Sequence, residues 1–380
     1  MKIESKLPNT KTSIFAVMTG LANEHGAINL SQGFPNFPIS QELISLVNKN
    51  MLNGNNQYAP MPGILPLREA ISEKLEDTYG HSYNPQTEIT ITPGATHGLS
   101  MIITSFIKPN DEVIIFEPAY DSYLPSVELC GGVVRPINLV APTYHINWTE
   151  VENTINPKTR MIIINTPHNP TGTVLGEKDM KELIRLTKDT NIIIISDEAY
   201  EHLIFDNIRH ESILYYPELI ERSFVVASFG KTFHTTGWKM GYVASPKSLM
   251  DEYRKLHQFS VFTCNTPMQW AFAEYLKNKE NYLSLGKFYQ GKRDFLTKAL
   301  EGSRFKVLDC KGTYFMLLDY SQISSENEMD FAVRLTKECK VATVPVSPFY
   351  SNEVDNKTLR ICFAKTDETL LEAANILKRI

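Results

Sequence analysis

Five short runs of this chain are rich in Ile and Val, most of them without alternating: "EITIT", "DEVIIF", "MIIIN", "NIIIIS" and "FVVAS". A strand with one wet face alternates polar and apolar residues. Runs that are apolar throughout predict strands buried on both faces, as in a parallel sheet covered by helices. Between the runs lie amphipathic segments such as "THGLSMIITSFI" and "EKDMKELIRLTKDT". Strand alternating with helix predicts an α/β fold. The last hundred residues differ. A helix-like stretch from about Thr266 to Leu300 leads into "FKVLD", "GTYFMLLD", "VATVPV" and "TLRICFA", with "MDFAVRLTKEC" between them, the pattern of a smaller α+β unit. The expected division is an N-terminal arm (1–37) joined to the smaller part, a large domain (38–280) with a mostly parallel sheet, and a small C-terminal domain (281–380).

At 380 residues the chain is long enough for two such domains. A net charge of -5 gives no reason to expect nucleic acid or a phospholipid surface as partner. Cys130, Cys264, Cys310, Cys339 and Cys362 are far apart with no C-x-x-C pair, against zinc and against a disulfide framework. The opening "MKIESKLPNTKTSIFAVMTG" lacks a signal peptide's apolar core, and no apolar run approaches the roughly 18 residues of a membrane span. The expectation is a soluble, cytoplasmic protein without a metal.

Ligands of parallel α/β sheets bind at the carboxyl ends of the strands, and the unusual residues fall there. "PGATHGL" opens a helix whose free N–H groups at Gly94, Ala95 and Thr96 suit a phosphate. "EPAYDSY" delivers Tyr120 and Tyr123, and "TPHNPTG" builds a rigid turn around Asn169. "DEAY" ends an apolar strand with Asp197 and Glu198, followed by Tyr200; a buried carboxylate there needs a partner. "FVVAS" ends at Ser228, and "FGKTFHTTGWK" then carries Lys231 and Lys239. Each signal alone has a plain structural reading: a loop, a core tyrosine, a salt bridge, a solvated lysine. Five in succession converge on one crevice.

With "INLSQGFPNF", "NQYAPMPGILPLREAI" and "TLRICFAK" in order around them, these segments resemble the class I, fold-type-I aminotransferases that depend on pyridoxal 5'-phosphate, nearest the methionine, kynurenine and glutamine aminotransferase subgroup. The resemblance runs over essentially the whole chain. It implies Lys231 as the lysine that forms the Schiff base with the cofactor and moves the substrate Cα proton. It implies Asp197 as the carboxylate on the pyridine nitrogen, Tyr200 and Asn169 as partners of the ring oxygen, and Tyr120 as the ring that stacks on it. Gly94, Ala95, Thr96, Ser228 and Lys239 would hold the phosphate, Lys239 standing where many class I enzymes have arginine. Arg360 and Gly33 would receive the substrate α-carboxylate. In "TLRICFA", Leu359, Ile361 and Phe363 share one strand face, and Arg360 shares the other with Cys362 and Ala364. Tyr58 matches a tyrosine that reaches the neighbouring subunit's phosphate, implying a homodimer with shared active sites.

From Phe259 to Ala273, where the family can place a cation for a second substrate carboxylate, there is no Lys or Arg. Phe34, Phe37, Tyr123 and Phe262 suggest an apolar or aromatic pocket instead. The expected reaction is ping-pong transfer of the amino group of an apolar, thioether or aromatic L-amino acid, methionine foremost, to a 2-oxo acid. A carbon–sulfur β-lyase using the same lysine stays open, as does, more remotely, a non-enzymatic cofactor-binding regulator.

Overall fold

The computed structural model describes residue 1, residues 3–352 and residues 354–380. Its main sheet has seven strands: β1 (Ile89–Thr92), β2 (Glu112–Glu117), β3 (Val133–Asn138), β4 (Thr159–Asn165), β5 (Ile193–Asp197), β6 (Ser223–Ser228) and β7 (Gly241–Ala244). Their spatial order is β1-β7-β6-β5-β4-β2-β3. Only β7 runs against its neighbours; the β2–β3, β2–β4, β4–β5 and β5–β6 pairs are parallel. The sheet is mostly parallel, as the unbroken apolar runs require.

The same runs show how one strand serves two cores. Ile114, Ile162, Ile164, Ile194 and Val225 join one buried cluster. Their neighbours Val113, Ile115, Ile163, Ile195, Phe224 and Val226 join another on the opposite face. Each buried Ile or Val contributes about 1.5–3 kcal/mol relative to exposure. The second cluster includes Leu99, Ile102, Ile103 and Phe106 of the helix α1 (Ala95–Phe106). Gly98 lets that helix lie close: a Cβ there would stand 2.8 Å from Val243 Cγ2. The helix start is thereby held against the end of β1.

A second sheet is antiparallel and built from β8 (Lys306–Val307), β9 (Phe315–Asp319), β10 (Val344–Pro345) and β11 (Thr358–Cys362), in the order β10-β11-β9-β8. The N-terminal segment forms a helix, Ile14–His25. Ile28–Asn29 then pairs in parallel with Val341–Ala342, which ties this arm to the C-terminal part.

The single helix expected from Thr266 to Leu300 is instead three: Thr266–Tyr275, Glu280–Leu283 and Leu285–Ala299. Asparagine side chains compete with the backbone ladder at the break. Asn281 Nδ2 donates to the Tyr275 carbonyl at 2.9 Å, and Asn278 Oδ1 accepts from the Glu280 N–H at 3.2 Å. Among the described residues no helix is long and apolar enough to cross a membrane.

Two glycines set opposite expectations for stability. Gly98→Val should cost about 1–3 kcal/mol in urea unfolding, since overpacking lifts α1 from the sheet. Gly291, inside the Leu285–Ala299 helix, would have nothing within 4 Å of an added Cβ, so Gly291→Ala should gain about 0.5–1 kcal/mol.

Candidate active site

Sheet register brings the strand-end residues into line. Asn165 pairs with Asp197 across β4 and β5, and Ser228 and Thr92 both pair with Gly241 of β7. A cavity of about 230 Å³ opens over these ends. Its walls include Gln32, Gly33, Gly94, Thr96, Tyr120 and Asn169; Asp197, Tyr200, Ser228, Lys231, Lys239 and Arg360 also line it.

The two acids that end β5 have separate surroundings. Glu198 faces a polar cluster, accepting from Ser196 Oγ at 2.8 Å and Ser212 Oγ at 3.0 Å, with His210 Nε2 at 2.7 Å. Asp197 is turned to the cavity and, among the described residues, its carboxylate has two donors, Tyr123 OH at 2.6 Å and the Ala199 N–H at 3.1 Å. Burial pushes its carboxyl up to about 6, against the pull of those two hydrogen bonds. A carboxylate so short of counter-charge is suited to a cationic ligand group.

Lys231 lies in the turn Phe229–Thr232 that leaves β6, anchored by stacking of Phe229 and Phe233 on Phe272. Its ammonium stands 5.6 Å from the ring centroids of both Tyr200 and Tyr314 and 3.5 Å from the Gly33 carbonyl. Burial lowers its pKa to about 8, and the Arg360 and Lys239 charges push the same way. A usable fraction of free amine therefore exists near neutrality, as nucleophilic chemistry requires.

One end of the cavity is formed by the start of α1. The Gly94 N–H is already bonded to the Thr92 carbonyl at 2.7 Å, so it is not a free donor, contrary to the sequence expectation; the tight turn uses it. Ala95 and Thr96 begin the helix, and their N–H groups have no helical partner. Gly94 is required for its backbone instead, a φ of +82° that L side chains rarely adopt, which sets the turn beside Lys239. Thr96 Oγ1 and Tyr120 OH are 3.0 Å apart, which fixes the Tyr120 ring at the cavity wall.

Arg360, 1% exposed, comes from β11 of the other sheet. It donates to Asn169 Oδ1 at 2.9 Å and to the Ser31 carbonyl at 2.8 Å. Phe315 lies against its guanidinium at 3.8 Å and Phe15 at 4.7 Å. Among the described residues its buried Nε has no partner. A guanidinium packed against aromatic rings, with N–H donors unused, suits a planar anion.

Several expected pocket residues sit elsewhere. Tyr123 does not line the cavity; it lies beneath it as the donor to Asp197. Phe37 belongs to an aromatic group with His234 and Phe288. Phe34 turns its ring towards Lys365, 4.3 Å away. Phe262 packs edge-to-face on Tyr58 at 5.2 Å, and both are exposed. The apolar wall comes from Phe15, Leu99 and Phe315. Phe15 and Tyr314, whose OH donates to the Gly33 carbonyl at 2.7 Å, were not singled out from the sequence; neither stands in a strand-end turn of the main sheet.

A raised carboxyl pKa means that Asp197 binds its proton more tightly in the folded chain than in the unfolded one. Its contribution to stability is therefore lost as pH rises from about 4 through 6. With nothing bound, Asp197→Asn should be more stable than the natural chain at pH 7 by about 3 kcal/mol, a gap that closes near pH 4. Urea unfolding at the two pH values measures it.

Comparison with known proteins agrees with this geometry. Residues 25–377 match the family model for aminotransferase class I and II. The chain is 45% identical over 378 residues to the methionine aminotransferase of Escherichia coli (strain K12), covering 99% of this chain and 98% of that one. It is 32% identical to human kynurenine–oxoglutarate transaminase 3, covering 99% and 91%. Among solved structures, YbdL from Escherichia coli, for which a methionine aminotransferase function is described, superimposes with a TM-score of 0.98 at 44% identity, covering all of both chains. N-succinyldiaminopimelate aminotransferase from Mycobacterium tuberculosis gives 0.95 at 33% identity, again covering all of both. The chain belongs to the class I and II aminotransferases and is an amino-acid transaminase.

Proposed function

We propose that the protein uses pyridoxal 5'-phosphate to move the amino group of an apolar, thioether or aromatic L-amino acid, methionine foremost, to a 2-oxo acid. The observation that carries this reading is the meeting of Lys231, Asp197 and Arg360 at one cavity. The residues fit that cofactor: an under-partnered buried carboxylate for a ring N–H⁺, free N–H groups at a helix start with Lys239 beside them for a phosphate, and a lysine of lowered pKa for an aldehyde. Bound there, pyridoxal phosphate supplies a carbonyl carbon for amines and a ring that takes up the electron pair released at the substrate Cα.

The chain's own residues do the rest. Asp197 holds the ring nitrogen protonated, gaining a counter-ion that returns its own pKa towards the usual range. Ala95, Thr96, Ser228 and Lys239 receive the phosphate, and Tyr120 covers the ring. The Asn169 amide oxygen is engaged by Arg360, which leaves its NH₂ for the ring oxygen beside Tyr200. Arg360 and the Gly33 N–H orient the substrate through its α-carboxylate, presenting the Cα–H to the Lys231 amine. That amine would take the Cα proton and hand it to the former aldehyde carbon of the cofactor, and with the 2-oxo acid bound would carry a proton back from there to the Cα that receives the amino group.

The substrate preference is supported by the wall of Phe15, Leu99 and Phe315 and by the absence of Lys and Arg from Phe259 to Ala273. E. coli methionine aminotransferase, at 45% identity, adds to it. Tyr58, 81% exposed, and Phe262 beside it suit a homodimer in which Tyr58 completes the partner's site. The pairing of Ile28–Asn29 with Val341–Ala342 supports grouping an arm (1–37) with a small domain (281–380) against a large domain (38–280). Five free cysteines suit the reducing cytoplasm.

With pyridoxal phosphate and a 2-oxo acid supplied, kcat/KM for L-methionine should exceed that for L-aspartate at least about tenfold. Comparable turnover of the two would overturn the substrate assignment. Pyruvate and ammonia released from cystathionine without any 2-oxo acid would move the reaction to β-elimination.

A further inference from the structure

Lys365 is 2% exposed and follows Arg360 by five residues, just beyond the end of β11. Its ammonium donates to the Phe34 carbonyl at 2.8 Å and lies 4.3 Å from the Phe34 ring centroid. Among the described residues it forms no ion pair. A buried cation with one carbonyl and one ring as its company is costly. Phe34 belongs to the segment that passes over the cavity, which suggests what that cost secures.

Every carbonyl along that segment is held. The Leu30 carbonyl accepts from the Cys362 N–H at 2.8 Å and the Ser31 carbonyl from Arg360 at 2.8 Å. The Gln32 carbonyl accepts from the Phe34 N–H at 3.0 Å, and the Gly33 carbonyl from Tyr314 OH at 2.7 Å. Lys365 takes the last, at Phe34. Gly33 itself is pressed so close that a Cβ would stand 2.6 Å from Phe315 Cζ. With its neighbours fixed in this way, the Gly33 N–H is left without a partner among the described residues, in a residue that lines the cavity with Arg360.

We propose that Lys365 is a positioning residue for the substrate carboxylate: by holding the Phe34 carbonyl it fixes the Gln32–Phe34 turn, so that the Gly33 N–H and the Arg360 guanidinium address the same anion. Lys365 does not touch the substrate, and the proposal rests on the reading of Arg360 as the carboxylate's partner. Its action is selective for one part of the ligand. A merely structural lysine would weaken everything the site binds.

The test uses the cofactor-loaded enzyme and its Lys365→Met and Lys365→Gln variants with three ligands: L-methionine, 4-(methylthio)butanoate, which has the carboxylate without the amine, and 3-(methylthio)propylamine, which has the amine without the carboxylate. Lys365→Met should raise KM for methionine and Ki for the carboxylate about tenfold, with kcat within about twofold and the Ki of the amine unchanged. Lys365→Gln keeps a donor and should lose less. Equal weakening of carboxylate and amine, or a fall in kcat with KM intact, overturns the proposal. If Lys365→Met does not fold, Lys365→Gln decides by the same carboxylate-against-amine difference. Arg360→Lys, run in parallel, separates the two readings. A raised KM there with Lys365 variants unaffected overturns the role of Lys365 alone; an unchanged KM there overturns both.

Discussion

A carboxylate, an ammonium and a guanidinium share one small cavity, and among the described residues no ion pair joins any two of them. Left free to move, Asp197 would neutralise Lys231 or Arg360 and the site would be a structural salt bridge. The fold prevents this by attaching each charge to a different support. Asp197 ends a central parallel strand, Lys231 sits in a turn wedged by stacked phenylalanines, and Arg360 projects from the antiparallel sheet, clamped between aromatic rings. Stability is given up to keep those charges apart, the recurring trade at functional sites. The pKa displacements of Asp197 towards 6 and Lys231 towards 8 are its physical signature.

The two sheets divide the work. The parallel sheet carries the groups assigned to cofactor chemistry, at strand ends locked by register to within two residues of each other. The antiparallel sheet and the N-terminal arm carry the groups assigned to the substrate: Arg360, Phe315, Phe15 and the Gly33 turn. The carbonyls from Leu30 to Phe34 are the seam between them. Four of the five are taken from the C-terminal part, by the Cys362 N–H, Arg360, Tyr314 and Lys365, and Lys231 of the parallel sheet's turn reaches the same Gly33 carbonyl.

Much of this was legible because buried parallel strands leave an unmistakable pattern. Runs such as "NIIIIS" located β5, and the residue after such a run is where a ligand is met. Strands without that pattern were not legible. β3, at the sheet edge, contains Arg135 and Pro136, and β7 is four residues long beginning with a glycine. Side-chain direction was the other blind spot. Tyr120 and Tyr123 are three residues apart; one lines the cavity while the other passes beneath it to Asp197. Phe34 neighbours Gly33 in sequence, yet its ring turns to Lys365. Phe15 precedes all seven strands of the main sheet, and helical periodicity alone gives no hint of the guanidinium beneath it.

Everything proposed for the site depends on Lys231, among the lysines near the cavity, being the amine that bonds the cofactor. Borohydride reduction of the protein loaded with pyridoxal phosphate makes that bond permanent, and peptide mass spectrometry then reads its position. One pyridoxyl group per chain is expected, on Lys231, and none after Lys231→Ala. A label on Lys239 or Lys365, or scattered over surface lysines with Lys231 unmodified, would contradict it.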